Sequence, residues 1–414
     1  MPTPLKLIAP TSLQRYDCTG CGDCCRGRFA IIISRADRDR IEKQAWTSDE
    51  LGLGRQPLFR RRGDDFQLAH RPDGACVFLG ADNLCRIHAR FGEPAKPLAC
   101  RMYPFRPIPA GREVRVDIRF DCPAVASNHG RQIGVYKSQI AVLLKEIARR
   151  DSAGEAPPPF RPGASLTWPQ LARATEAFNR ILLDVSIDIT RRIVACVNLA
   201  ALLRHAAPSD VTESTWGDML DELTAAVQSE ALVDPLNRRA PMSSDAVMFR
   251  HILGVHGRTD TFGRKVSRLG PSLAMLRGTG PVPALRDGFP AVNFAQMETA
   301  TGIPGGDRAL AIERFLHVHL MSMGFFGRGN YGRTFLDGLG SLLLTYPTVC
   351  WFARVYAAGD GLESPSLANV ETALSVVDHQ RGSSPLLGNA SARFLIDRLT
   401  ERHTLHGLTV WYGS

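Results

Sequence analysis

Four thiols fall within eight residues in Cys18-x-x-Cys21-x-x-Cys24-Cys25, and Cys76, Cys85, Cys100 and Cys122 follow. Thiolate sulfur is soft and anionic, which suits iron in iron–sulfur clusters and also zinc. Close spacing lets one loop supply several ligands at little cost in chain entropy. Gly20 and Gly22, set between the cysteines of CTGCGDCC, favour a tight loop over a regular helix. Such a loop also exposes backbone N–H groups that donate to sulfur and tune a cluster.

Eight of the ten cysteines sit in the first 122 residues, and the other 292 residues hold only Cys196 and Cys350. Clustered cysteines in a chain of this kind point to metal or redox chemistry rather than a disulfide framework. Eight thiols exceed the four or so that one zinc ion or one cubane cluster takes. One site with spare thiols and two sites sharing eight are both open. Neighbouring side chains diverge, so Cys24 and Cys25 are not expected to reach one small ion together. His88, three residues after Cys85, is a possible nitrogen ligand, although a lone histidine is more often structural. Tyr103 reads as a packing residue, with an acid–base role as the alternative. Cys196 in IVACVNLAALL and Cys350 in PTVCWFA read as buried core thiols. His317 and His319 do not share a helix face and are not expected to be ligands.

CTGCGDCC followed by CVFLGADNLCRIHARFGEPAKPLACRMYPF resembles the YkgJ-type cysteine-cluster family of zinc- or iron-chelating domains. Cys18, Cys21, Cys24, Cys25, Cys76, Cys85 and Cys100 fall on its cysteine positions, and Ile87-His88 and Tyr103-Pro104 on its flanking ones. The resemblance spans about residues 15–125. A longer branch of that family, which includes flagellin lysine N-methylase, is similar in length, and LTYPTVCWFARVYAA also looks like it. That branch implies methyl transfer from S-adenosylmethionine to a protein lysine, with an iron–sulfur cluster involved. The residues themselves offer little for it. GIPGGD at 302–307 and LDGLGS at 336–341 are poor nucleotide-binding loops, and no CxxxCxxC triad occurs.

The elements that must position these cysteines are short. Phe29–Ile33 suits a strand, and Ser34 caps a helix over SRADRDRIEKQAW. Residues 51–74 read as loop and hairpin. EVRVDIRF at 113–120 alternates as a half-buried strand does and delivers Cys122. From about residue 131 helical spacing takes over, with helices expected near 168–185, 187–206, 214–230, 243–256, 307–324, 333–346, 349–358, 365–380 and 390–403. Residues 266–306, rich in Gly and Pro, are expected to wrap over the surface. The expected fold is α-rich. A small, loop-rich α+β cysteine-cluster domain (1–130) precedes a mainly all-α domain (131–414).

The net charge is +9, yet the basic residues are scattered and the densest run is only Arg60-Arg61-Arg62. Bulk charge without interleaved aromatics is a weak case for nucleic acid. No stretch has the roughly 18–20 apolar residues of a membrane span. The start lacks a basic segment followed by an apolar one, so a cytoplasmic protein is expected. Three functions remain: a cluster-dependent methyltransferase acting on a protein substrate, a metalloprotein with a structural zinc or iron site and helices that dock a partner, and a redox or electron-transfer protein. The thiol count and the resemblance favour an iron–sulfur cluster, of the 4Fe-4S type, over zinc.

Overall fold

The computed structural model describes residues 6–8, 13–27, 30–147, 156–206, 212–259, 269–382 and 384–414. The first third is built of short pieces: β1 (Lys6–Ile8), β2 (Arg15–Tyr16), α1 (Asp23–Arg26), β3 (Ile32–Ile33), α2 (Arg35–Glu42), α3 (Ser48–Leu51), β4 (Phe59–Arg62), β5 (Asp65–Leu68), α4 (Arg86–Phe91), α5 (Leu98–Met102), β6 (Phe105–Ala110), β7 (Glu113–Ile118), α6 (Pro123–Ala126) and β8 (Arg131–Gln132). The strands form three small sheets, ordered β1-β7-β6, β2-β8 and β3-β5-β4. Long helices follow: α7 (Lys137–Ile147), α8 (Trp168–Leu182), α9 (Ile189–His205), α10 (Glu213–Val233), α11 (Ser243–Gly257), α12 (Leu269–Arg277), α13 (Phe294–Glu298), α14 (Gly306–Met321), α15 (Phe335–Leu343), α16 (Thr345–Gly359), α17 (Leu367–Gln380), α18 (Ala390–Leu399) and α19 (Arg402–Gly413). The chain is therefore α-rich, with its short strands in the N-terminal region. None of the described helices is long and apolar enough to cross a membrane.

Local chemistry explains many of the boundaries. Ser34 Oγ accepts from Asp37 N at 3.0 Å, and the Asp37 carboxylate accepts from Ser34 N at 3.2 Å. This reciprocal capping box starts α2 where its acidic first turn predicts. Thr167 with Gln170 and Ser366 with Asn369 start α8 and α17 the same way. Within α9, Ile193, Val194, Ala195, Cys196 and Leu199 are all buried. A helix apolar on every side belongs in the interior, and α9 packs against α8, α10, α15 and α19. Both Cys196 and Cys350 are buried, as a core role requires.

Three local expectations change. First, β7 is not half-buried, since Val114 to Ile118 are all buried. Its polar face lies under α14, where Arg115 Nη1 donates to Met321 O at 3.0 Å and Asp117 meets His319. Second, part of the Gly/Pro-rich stretch is internal. α12 and α13 form there, and Val282, Leu285, Val292, Phe294 and Met297 are buried. Residues 266–268 of that stretch lie outside the described residues. Third, α19 continues the helical region to residue 413, with Leu405, Leu408 and Tyr412 buried on its inner side.

Two cores differ greatly in size. A small one gathers Ile33, Ile41, Leu51, Leu53, Leu68, Ala69, Cys76, Val77, Phe78 and Ile87. The large one holds the helices but also takes in Met102, Phe105, Val116, Ile118, Phe120 and Cys122. The cysteine-bearing segments thus straddle both. Cys76 belongs to the small core and Cys122 to the large one.

Candidate metal centre

The CTGCGDCC loop is shaped by its glycines. Gly20 and Gly22 have φ of +70° and +77°. A Cβ on Gly22 would stand 2.9 Å from Asn83 O, and one on Gly20 3.3 Å from Leu84 Cδ2. The loop therefore lies against the 80–84 turn only because both residues lack a side chain. That turn is closed by Gly80 N donating to Leu84 O at 2.8 Å, and an isolated bridge then pairs Leu79 with Cys85. From the other side, Cys76 N donates to Cys25 O at 2.8 Å. Arg26 Nη1 donates to Cys21 O at 2.8 Å, and its Nη2 donates to the Asn83 side-chain oxygen. Cys100 rides on α5, whose Leu98 N donates to Asp37 Oδ1 at 3.2 Å.

These contacts bring distant cysteines to one place. Cys18, Cys24, Cys25, Cys76, Cys85 and Cys100 line a single cavity of about 880 Å³. Ile31, Ile33, Leu68, Phe78, Met102 and Phe105 form much of its apolar wall. Cys24 and Cys25 both line this cavity, and the Cys25 thiol is within hydrogen-bonding reach of the thiols of Cys24 and Cys76. Cys21 and Cys122 are not on the cavity wall. Cys122 lies close to Tyr16 and Tyr103, and Cys21 acts on Cys122 electrostatically. Six of the eight clustered cysteines thus line the cavity and two do not.

The thiols destabilise each other's ionised forms. Hydrogen bonding with Cys25 and burial push Cys24 far up. The bond with Cys24 pulls Cys25 down, but the bond with Cys76 and burial outweigh it and push Cys25 up to about 12. Burial, reinforced by Cys25, Cys85 and Cys24, pushes Cys100 up to about 12. Burial likewise pushes Cys122 up to about 12, against the backbone N–H groups of Val125 and Ala124. Among the described residues no three His, Cys, Asp or Glu side chains are already arranged around one ion. The donor set nevertheless fits a soft metal or a cluster. The cavity thiols come from four chain segments, and a multivalent cation would offset the repulsion that keeps them protonated.

The flanking candidates separate. His88 is exposed, at the cavity margin. Tyr103 lines the cavity and donates from its hydroxyl to Asp121 Oδ1 at 3.1 Å. Arg119 holds the same carboxylate through two bonds, of 3.1 and 2.7 Å. Tyr103→Phe therefore leaves Asp121 paired. Its expected cost is about 1 kcal/mol with unchanged metal content, checked by urea unfolding and metal analysis. A loss of metal would place the hydroxyl at the centre itself.

Sequence reading missed two features. Part of the cavity lining comes from the end of α17 and the chain after it, through His379, Gln380, Ser384, Pro385 and Leu386. Behind that lining lies a buried ionic network. His319 Nδ1 is 2.7 Å from Asp117 Oδ1, and its Nε2 is 3.1 Å from Asp378 Oδ1, though off the hydrogen-bond line. Arg106 reaches Asp117 at 2.6 Å, and Arg381 reaches Asp378 at 3.1 Å and also touches the His319 ring. Asp378 accepts from Phe120 N at 2.7 Å. The network ties β7 and Phe120, two residues before Cys122, to α14 and α17. His319 looks in sequence like one more member of an apolar stripe, and only the facing acids reveal its partners.

No curated protein and no solved structure matches the chain. Residues 17–123, about a quarter of its length, match the model of the CxxCxxCC family, described as a "putative zinc- or iron-chelating domain". All eight clustered cysteines lie inside the match.

Proposed function

We propose that the chain binds an iron–sulfur cluster through cysteines that line the cavity, and that the cavity admits a further molecule to it. The observation that carries this reading is that Cys18, Cys24, Cys25, Cys76, Cys85 and Cys100 all line one 880 Å³ cavity. Structural zinc sites are closed tetrahedra of four ligands. Here the thiols outnumber that set and face a space of the size that ordinarily holds small molecules. Cys21 and Cys122 would then stand beside the centre as reserve or redox thiols.

A structural zinc or iron site is the second reading. It is favoured by the small core beneath the cysteines, since small domains with few buried side chains commonly depend on a metal. Methyl transfer rests only on the resemblance, and no curated relative supports it.

Anaerobic purification with metal and acid-labile sulfide analysis separates the two readings. Iron and sulfide at about four each per chain, with a brown absorption near 400 nm, support the cluster. Zinc without sulfide would replace it with the structural site. S-adenosylmethionine binding by the loaded protein is the next measurement, and its absence would remove the methyltransferase reading while leaving the cluster standing.

A further inference from the structure

Lysine is scarce here. Six of the 50 basic residues are Lys, and the other 44 are Arg. One of the six, Lys96, lines the thiol cavity together with Cys24, Cys25, Cys85 and Cys100. Its ammonium acts electrostatically on both Cys24 and Cys100.

The backbone on either side of it is pinned. Arg40 Nη2 donates to Lys96 O at 3.1 Å, and Gln44 Nε2 donates to Ala95 O at 3.3 Å. Leu98 N is held by Asp37, and Pro97 stiffens the link. α2 and the residues just after it thus fix the origin of the side chain without using its charge. The nearby acids are engaged elsewhere: Asp37 with Arg40, Asp23 with Arg26 at 3.8 Å, and Glu93 with Arg101 at 3.7 Å. No ion pair of Lys96 occurs among the described residues. A lysine offers a compact point charge on a flexible stem, where an arginine offers a planar fork suited to carboxylates. Beside a group of sulfurs, the point charge is the better match.

We propose that Lys96 is the charge-compensating residue of the metal centre, offsetting the net negative charge that several thiolate ligands give a bound metal or cluster. The proposal rests on the metal-binding reading. In the metal-free protein the ammonium has no anion to meet. In the loaded protein it faces one, so it favours loading. A positive charge stabilises the more negative, reduced state of an iron cluster more than its oxidised state, so Lys96 raises the reduction potential.

The test uses metal-free full-length protein under anaerobic conditions, with Co²⁺ as probe and a chelator of known affinity as competitor. Partners outside the ligand set typically tune metal affinity 10- to 100-fold. Lys96→Gln is expected to weaken Co²⁺ binding about tenfold, and Lys96→Arg to restore most of the loss. In protein reconstituted with iron and sulfide, the same Gln variant is expected to show a more negative midpoint potential, recovered in the Arg variant. Urea midpoints equal to wild type would confirm that neither variant perturbs the fold. Equal Co²⁺ affinity and equal potential in wild type and Lys96→Gln would overturn the proposal while leaving the metal centre intact. Failure of the wild-type protein to bind Co²⁺ through sulfur would overturn the centre and the proposal together.

Discussion

Cys76→Ala is expected to cut metal content to a small fraction of wild type, with an affinity loss of at least about 100-fold, while Cys350→Ala retains full occupancy. Cys76 is 4% exposed and joins the small core. Its backbone bond to Cys25 survives the substitution, so the variant removes a thiol without dismantling the loop. Cys350 is equally sheltered but sits on α16, among the long helices. A second consequence follows from the size of the small core. Metal binding is worth about 10–16 kcal/mol in zinc-finger peptides, where it decides whether the domain folds. Metal loss is therefore expected to open residues 30–100 to protease before the helices. Limited proteolysis with and without chelator checks this. An unchanged cleavage pattern and full metal content in Cys76→Ala would contradict it.

Asp378→Ala is expected to destabilise the protein by about 3–5 kcal/mol, the usual cost of breaking a buried ion pair by removing one partner. Asp117, His319 and Asp378 are each no more than 3% exposed. Removing Asp378 strips Phe120 N of its acceptor and leaves Arg381 and His319 sharing Asp117. Burial alone would raise both carboxyls, but His319, followed by Arg106 and Arg381 at Asp117 and by Arg381 and Arg119 at Asp378, holds them well below the ordinary range. Groups depressed in the folded state stabilise it above their unfolded pKa of about 3.9 and lose that contribution as the pH falls through the folded values. Urea midpoints should therefore fall steeply below about pH 4 in wild type and less steeply in Asp378→Ala. An Asp378→Ala midpoint equal to wild type at neutral pH would show the network to be energetically idle.

Much of the site could be read from the chain because it is local chemistry. The positive-φ glycines of the loop and the Ser34 cap each act within a few residues, and each is where the sequence places it, although the loop's second half, Asp23–Arg26, winds into the short helix α1. The helices declared themselves by apolar periodicity. What stayed hidden depends on distant partners. β7 alternates like a strand with one wet face, but α14 covers that face and buries Asp117. α19 begins just after Thr400, and its apolar side matters only because α9 and α16 receive it. The cavity-lining residues His379, Gln380, Ser384, Pro385 and Leu386 carry no motif, since only the fold brings them to the cysteines.

The most direct test of the account is X-ray absorption at the metal edge of anaerobically purified full-length protein. The account predicts a sulfur-dominated first shell at about 2.3 Å, with a short iron–iron distance if the centre is a cluster, and loss of that shell in Cys76→Ala. A first shell of nitrogen and oxygen at about 2.0–2.1 Å, or no metal above trace, would contradict it.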